Sequence, residues 1–174
     1  MKQALPDKIG RTMILFAWIL LLILLSFMFS DYLENQNNPN RHVVSNEGNS
    51  ERSIELQRNR QGHYVTNGRI NDKKVTFLLD TGATDVSIPA TVAKYLDLEK
   101  GFATQVQTAN GVITVYATRL NKVEIGNIVL HDVRAHINPQ IHDREILLGM
   151  SFLKQLEFNQ QGDKLTITQP YFWP

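Results

Sequence analysis

The chain predicts an all-β domain carrying one or two short helices, behind a single N-terminal membrane helix. Three observations carry that expectation. From about residue 54 onward, short apolar or alternating runs recur at regular spacing, separated by Gly, Asn and Asp turn signals, the pattern of a closed barrel or sandwich. Met13 to Phe29 is an unbroken apolar run whose sole hydrophilic residue is Ser26. There are no cysteines among the 174 residues, so a disulfide scaffold, a thiol nucleophile and thiolate metal ligation are excluded.

Residues 1–12 read as a cytoplasmic segment and 13–32 as a transmembrane signal-anchor helix. The seventeen residues from Met13 rise about 25 Å as a helix, and extension through Ser30 and Tyr32 brings them to a hydrocarbon core of about 30 Å. A buried core helix would show a polar face, and this stretch has none. A cleaved signal peptide would have a shorter apolar region and small residues after it, whereas Phe27, Met28 and Phe29 are bulky. Lys2, Lys8 and Arg11 precede the run, and Asp31 and Glu34 follow it. That asymmetry puts the N-terminus inside and the remainder in an extracytoplasmic space, the periplasm in a Gram-negative cell. Residues 33–53 are rich in Asn, Ser, Gly and charge, and read as a flexible linker.

The domain is expected over 54–174. Ile54 to Arg58 and His63 to Ile70 read as strands broken at Gly62. Asn71-Asp72 is a tight turn and Val75 to Leu79 the returning strand. Val86 to Ile88 is a further strand, and Pro89 suits the first turn of a helix running to about Leu96. Ala103 to Thr108 and Ile113 to Arg119 flank Asn110-Gly111, a strong hairpin signal. Val123 to Ile125 and Ile128 to Leu130 form a second hairpin around Gly126-Asn127, and Val133 to Ile137 is a strand before a polar loop, 138–144. Lys164 to Thr168 closes the domain after a turn at 160–163.

The chemistry concentrates in Val75-Thr76-Phe77-Leu78-Leu79-Asp80-Thr81-Gly82-Ala83. A carboxylate ending a buried strand is costly unless paired, hydrogen-bonded or protonated. Gly82 lets the backbone turn and offer its N–H to that carboxylate, and Thr81 supplies a hydroxyl. An acid held rigidly at the mouth of a β structure suits general acid–base catalysis. Read alone, Asp-Thr-Gly also fits an ordinary turn. A second feature, 69 residues on, is Ile146-Leu147-Leu148-Gly149 running into a helix-like stretch, Met150 to Leu156.

These motifs, with Thr108-Ala109-Asn110-Gly111 between them, resemble the retropepsin-type aspartic proteases, and most closely their bacterial membrane-anchored branch. The resemblance covers roughly residues 55–168. It implies a closed retropepsin-like barrel and an aspartic-type endopeptidase with Asp80 as the catalytic acid. Thr81, Gly82 and Ala83 would support the active-site loop. Ala109, Asn110 and Gly111 would form a flap over substrate, and Leu148 and Gly149 a second structural motif. It implies no cofactor or metal. Peptide hydrolysis by carboxylates needs two of them, and this chain carries a single Asp-Thr-Gly. A second Asp80 must then come from another copy, giving a homodimer acting on a peptide or protein. A non-catalytic peptide- or partner-binding module on the same fold is the alternative.

Many viral members pair an acidic residue with an arginine at positions that are Thr84 and Met150 here, so both halves of that pair are missing together. Asp85, next to it, is left either touching substrate or facing solvent. His131, His136 and His142 read as surface or loop histidines with poor metal geometry. The aromatic tail Pro170 to Pro174 is expected to pack into the dimer interface, with lying at the membrane surface or fraying as the alternatives. A net charge of +1 gives no basic surface for nucleic acid.

Overall fold

The structure, a computed structural model, describes residues 6–48, 51–108 and 111–171. It divides into two units, 1–36 and 37–174. The first is helix α1, Pro6–Asn37, whose stretch Gly10–Asn37 is long and apolar enough to cross a membrane. Its apolar side chains are exposed on every side, from Met13 to Leu33.

The second unit is mostly β. Its strands are β1 (Val44–Glu47), β2 (Glu51–Gln57), β3 (Val65–Ile70), β4 (Lys73–Leu79) and β5 (Val86–Pro89). After helix α2 (Ala90–Tyr95) come β6 (Ala103–Thr108), β7 (Gly111–Ile125), β8 (Ile128–Asn138) and β9 (Ile146–Leu148). Helix α3 (Met150–Leu153), β10 (Glu157–Gln161) and β11 (Lys164–Pro170) complete it.

Seven strands form one sheet in the order β3-β4-β9-β5-β8-β7-β6. A further pairing, Arg69↔Glu124 and Ile70↔Val123, joins β3 to β7 and closes the first six strands of that order into a barrel. β6 hangs outside the ring, paired to β7 alone. A second sheet, β1-β2-β11-β10, brings the last strand onto β2.

Alternation decides which side chains fill the barrel. Val86 and Ile88, Ala135 and Ile137, Ile146 and Leu148 are all buried, as is Phe77. Gly68 is required opposite that ring: a Cβ there would meet Phe77 Cε2 at 2.6 Å and the carbonyl oxygen of Glu124. The Asn71-Asp72 turn forms as expected, with both residues at positive φ (47° and 67°). It is stitched to β7, because Asn71 donates its N–H to the Lys122 carbonyl (3.0 Å) and accepts from the Lys122 N–H (3.1 Å).

Several elements differ from expectation. The two hairpins expected over 103–119 and 123–130 share one strand, because β7 runs 15 residues and pairs with β6 and with the 11-residue β8. β10 was not foreseen: Glu-Phe-Asn-Gln-Gln is polar and exposed throughout, and its partner β11 sets its conformation. The segment 33–53, expected as loose linker, carries the end of α1, strand β1 and a buried asparagine, Asn40. The Asn40 side chain donates to the carbonyls of Gln57 (2.9 Å) and Val65 (2.7 Å) and accepts from the Gln57 N–H (2.6 Å). Three backbone partners offset the burial of an amide. In the tail, the Tyr171 hydroxyl hydrogen-bonds Glu47 Oε1 (2.9 Å) and the Arg52 guanidinium sits 5.1 Å from its ring. Phe172, Trp173 and Pro174 lie outside the described residues.

Candidate active site

Asp80 stands at the end of β4, where the strand stops and the chain turns. Its own N–H donates to the Leu148 carbonyl (3.2 Å), continuing the parallel β4–β9 pairing one step past the strand. The turn then folds back: Gly82 donates its N–H to Asp80 Oδ1 at 2.9 Å, and the Ala83 N–H reaches the Asp80 carbonyl at 3.3 Å. One carboxylate oxygen is thus held by backbone, which fixes the side chain without a charged partner.

Helix α3 props this loop from below. Met150 donates to the Ala83 carbonyl (2.8 Å) and Ser151 to the Thr84 carbonyl (2.9 Å). The exposed amides of a helix start therefore bind the loop's carbonyls directly. Gly149 is required here, since a Cβ would meet the Ala83 carbonyl oxygen at 2.7 Å and press on the carbonyl of Asp85. The Ser151 side chain adds two bonds, accepting from the Val86 N–H (3.0 Å) and donating to the Arg134 carbonyl (2.7 Å). One hydroxyl ties together β5, β8 and α3. Around Thr84 and Met150, therefore, backbone hydrogen bonds join the loop to the helix.

A cleft of ≈ 670 Å³ opens beside Asp80. Its floor is Asp80, Gly82, Ala83 and Thr84 with Ser87, His136 and Leu147, and β6 overhangs it with Val106, Gln107 and Thr108. Gly111, at φ 111°, starts β7 opposite Thr108, whose hydroxyl donates to the Gly111 carbonyl at 2.8 Å. Ala109 and Asn110, the expected tip of the flap, lie outside the described residues.

Asp85 lies at the rim and forms an ion pair with Arg134, Oδ1 to Nε 2.7 Å. The sequence left its role open and did not single out Arg134, 49 residues away. His136 corrects an expectation. It is partly buried in the cleft, with its pKa lowered by burial against an opposing pull from Asp85. His131 and His142 are exposed, as expected of loop or surface histidines. Among the described residues no group of three or more His, Cys, Asp or Glu could hold a metal. Ser87, Arg134 and Ser151 went unnoticed in the sequence. The available signal for Ser87 was a lone polar residue between Val86 and Ile88.

Residues 66–155 match the family described as "gag-polyprotein putative aspartyl protease", a span that holds the Asp80 loop, the overhanging hairpin and α3. The chain belongs to the retropepsin-like aspartic protease family. This retropepsin-like chain superposes on the crystal structure of a retropepsin-like aspartic protease from Rickettsia conorii with a TM-score of 0.62 and 27% identity, over 74% of this chain and 96% of that one. It is 26% identical to an uncharacterized Sinorhizobium protein over 86% of this chain and 69% of that protein. It is 34% identical to an uncharacterized protein of Rickettsia prowazekii over 60% of this chain and 46% of that one, so it spans about half of that relative's length.

Proposed function

We propose that this retropepsin-like chain is a membrane-anchored, homodimeric aspartic endopeptidase whose catalytic pair is Asp80 from each of two copies. The observation that carries the reading is Asp80, held by the Gly82 N–H at the floor of a cleft roofed by a hairpin. Two carboxylates about 3 Å apart share one proton and titrate as a pair. The ionised one takes a proton from water as its oxygen attacks the peptide carbonyl carbon. The protonated one donates to the carbonyl oxygen, giving a neutral tetrahedral diol. Collapse returns a proton to the nitrogen, and the C–N bond breaks to leave an acid and an amine.

The dimer reading draws on the other side of Asp80. There a second depression is lined by Tyr64, Leu79, Thr81, Leu153, Phe158 and Leu165. Phe158 stands 41% exposed on the fully exposed strand β10. An aromatic and aliphatic surface beside a lone carboxylate suits contact with a second copy across a two-fold axis. Thr81, exposed at that edge, would brace the pair. Helix α1 would anchor both copies with the N-terminus inside and the barrel outside. Confinement to a layer raises the effective concentration for pairing.

The test is Asp80→Asn in the full-length chain, reconstituted in lipid nanodiscs and given a diverse peptide pool. The variant should keep the wild-type circular dichroism and dimer population and lose cleavage by a factor of about 10³ or more. Hydrolysis surviving in a clean Asp80→Asn preparation would rule this mechanism out.

A further inference from the structure

The floor of the cleft is a row across three strands. Ser87 on β5 is in register with His136 on β8 and with Leu147 on β9. Their sequence neighbours, Val86 and Ile88, Ala135 and Ile137, Ile146 and Leu148, point into the barrel core. Alternation therefore puts Ser87, His136 and Leu147 on the opposite face, where all three line the cleft with Asp80.

Ser87 is the unusual member. It is 3% exposed, and its hydroxyl oxygen is buried with no hydrogen-bond partner among the described residues. A buried hydroxyl left unpaired is destabilising, so an occupant that bonds it gains affinity from the mismatch. Charge narrows the occupant. Asp85 at the rim already has Arg134 at 2.7 Å, so it offers a cationic side chain little. An acidic side chain would enter beside the carboxylate of Asp80. An aliphatic side chain would leave the Ser87 hydroxyl unpaired. A primary amide carries a donor and an acceptor on one carbon and no charge. It can pair with a hydroxyl and an imidazole together.

We propose that this cleft selects peptides carrying an asparagine or glutamine side chain next to the scissile bond, with Ser87 and His136 as the specificity-determining residues. The inference rests on the peptidase reading above for the words "scissile bond", and on the cleft alone for the amide. Sites built to hydrogen-bond a substrate group discriminate strongly against analogues that lack it.

The experiment uses the full-length chain in nanodiscs and a positional peptide library with Asn, Gln, Leu, Met, Asp or Lys at each position around the cleavage point. At one position the wild type should favour the amides over Leu and Met by about tenfold or more in kcat/KM. Ser87→Ala should collapse that ratio toward one, and His136→Leu should shrink it. Binding of the same peptides to Asp80→Asn should show the amide preference without turnover. A wild-type preference for Leu, or a ratio unchanged in Ser87→Ala, overturns the proposal while leaving the peptidase standing. If the wild type cleaves nothing, the peptidase reading falls and binding decides the subsite. Amide-selective binding lost in Ser87→Ala upholds it, and equal affinity for amide and aliphatic members overturns it.

Discussion

The floor and the roof of the cleft are both made of β-strands, yet they are held in opposite ways. The floor strand β5 is buried at all four residues, lies between β8 and β9, and rests on α3 through the Ser151 hydroxyl. The roof strand β6 is paired on one edge only, and Ala103, Thr104, Gln105 and Gln107 on it are exposed. Just before it, Phe102 is 76% exposed. Local opening free energies follow burial and pairing. The floor therefore opens only with the whole barrel, while the roof can lift by giving up its β7 pairings. The proposed peptidase, which would have to fix an acid and still admit a chain, would need that division.

Four changes would break or sharpen this contrast. The largest effect belongs to Gly149→Ala, because its Cβ would meet the backbone of Ala83 and Asp85, which has nowhere to retreat. A loss of about 3 kcal/mol is expected in denaturant unfolding. A change of less than about 1 kcal/mol would show the floor to be as yielding as the roof. Ser151→Ala comes next. It strips a partner from the buried Val86 N–H and from the Arg134 carbonyl, for about 1–3 kcal/mol by the same measurement.

His136 gives a smaller, pH-dependent effect. Burial lowers its pKa in the folded state below the ordinary value of 6.5. Between the folded and unfolded values the unfolded chain binds more protons, so stability is full above about pH 6.5 and declines as the pH falls through the folded value. His136→Gln should flatten the fall in Tm between about pH 7 and pH 5; an unchanged slope would mean other groups govern acid sensitivity. The smallest effect belongs to Val106→Ala on the roof. The unfolding free energy should move by no more than about 0.5 kcal/mol. In both proteins, amide protons of β6 should exchange well before those of β5. Equal exchange rates for the two strands would erase the contrast.

The sequence made the floor legible and the roof's support less so. Val75 to Leu79 ending in Asp-Thr-Gly, and Ile146 to Leu148 ending in Gly149, are mostly apolar runs with an abrupt break, and both are visible because alternate residues, Val75 and Phe77 or Ile146 and Leu148, must fill the core. Asn71-Asp72 was legible because few residues tolerate its dihedrals. The closure of the barrel at Ile70 and Val123 was not, because it depends on which distant strands meet. β10 was hidden for a related reason: its five exposed residues carry no apolar alternation. Asp85 with Arg134, and Ser151 with Val86, are contacts across 49 and 65 residues, beyond the reach of local pattern. His136 was misread because its spacing from two other histidines drew attention away from its place beside Ser87.

One feature of the topology sets a schedule. The strand that carries Asp80 is aligned in parallel with β9, and β2 waits for β11 at the far end of the chain. A ribosome making this protein from its N-terminus delivers the acid long before it delivers Leu148, Gly149 and α3. Until that late portion emerges, Asp80 lies on an unsupported ribbon with no carbonyl for its amide and no helix beneath its turn. Through most of its own synthesis the nascent chain therefore carries Asp80 without these backbone partners, and products truncated before Leu148 lack the cradle altogether.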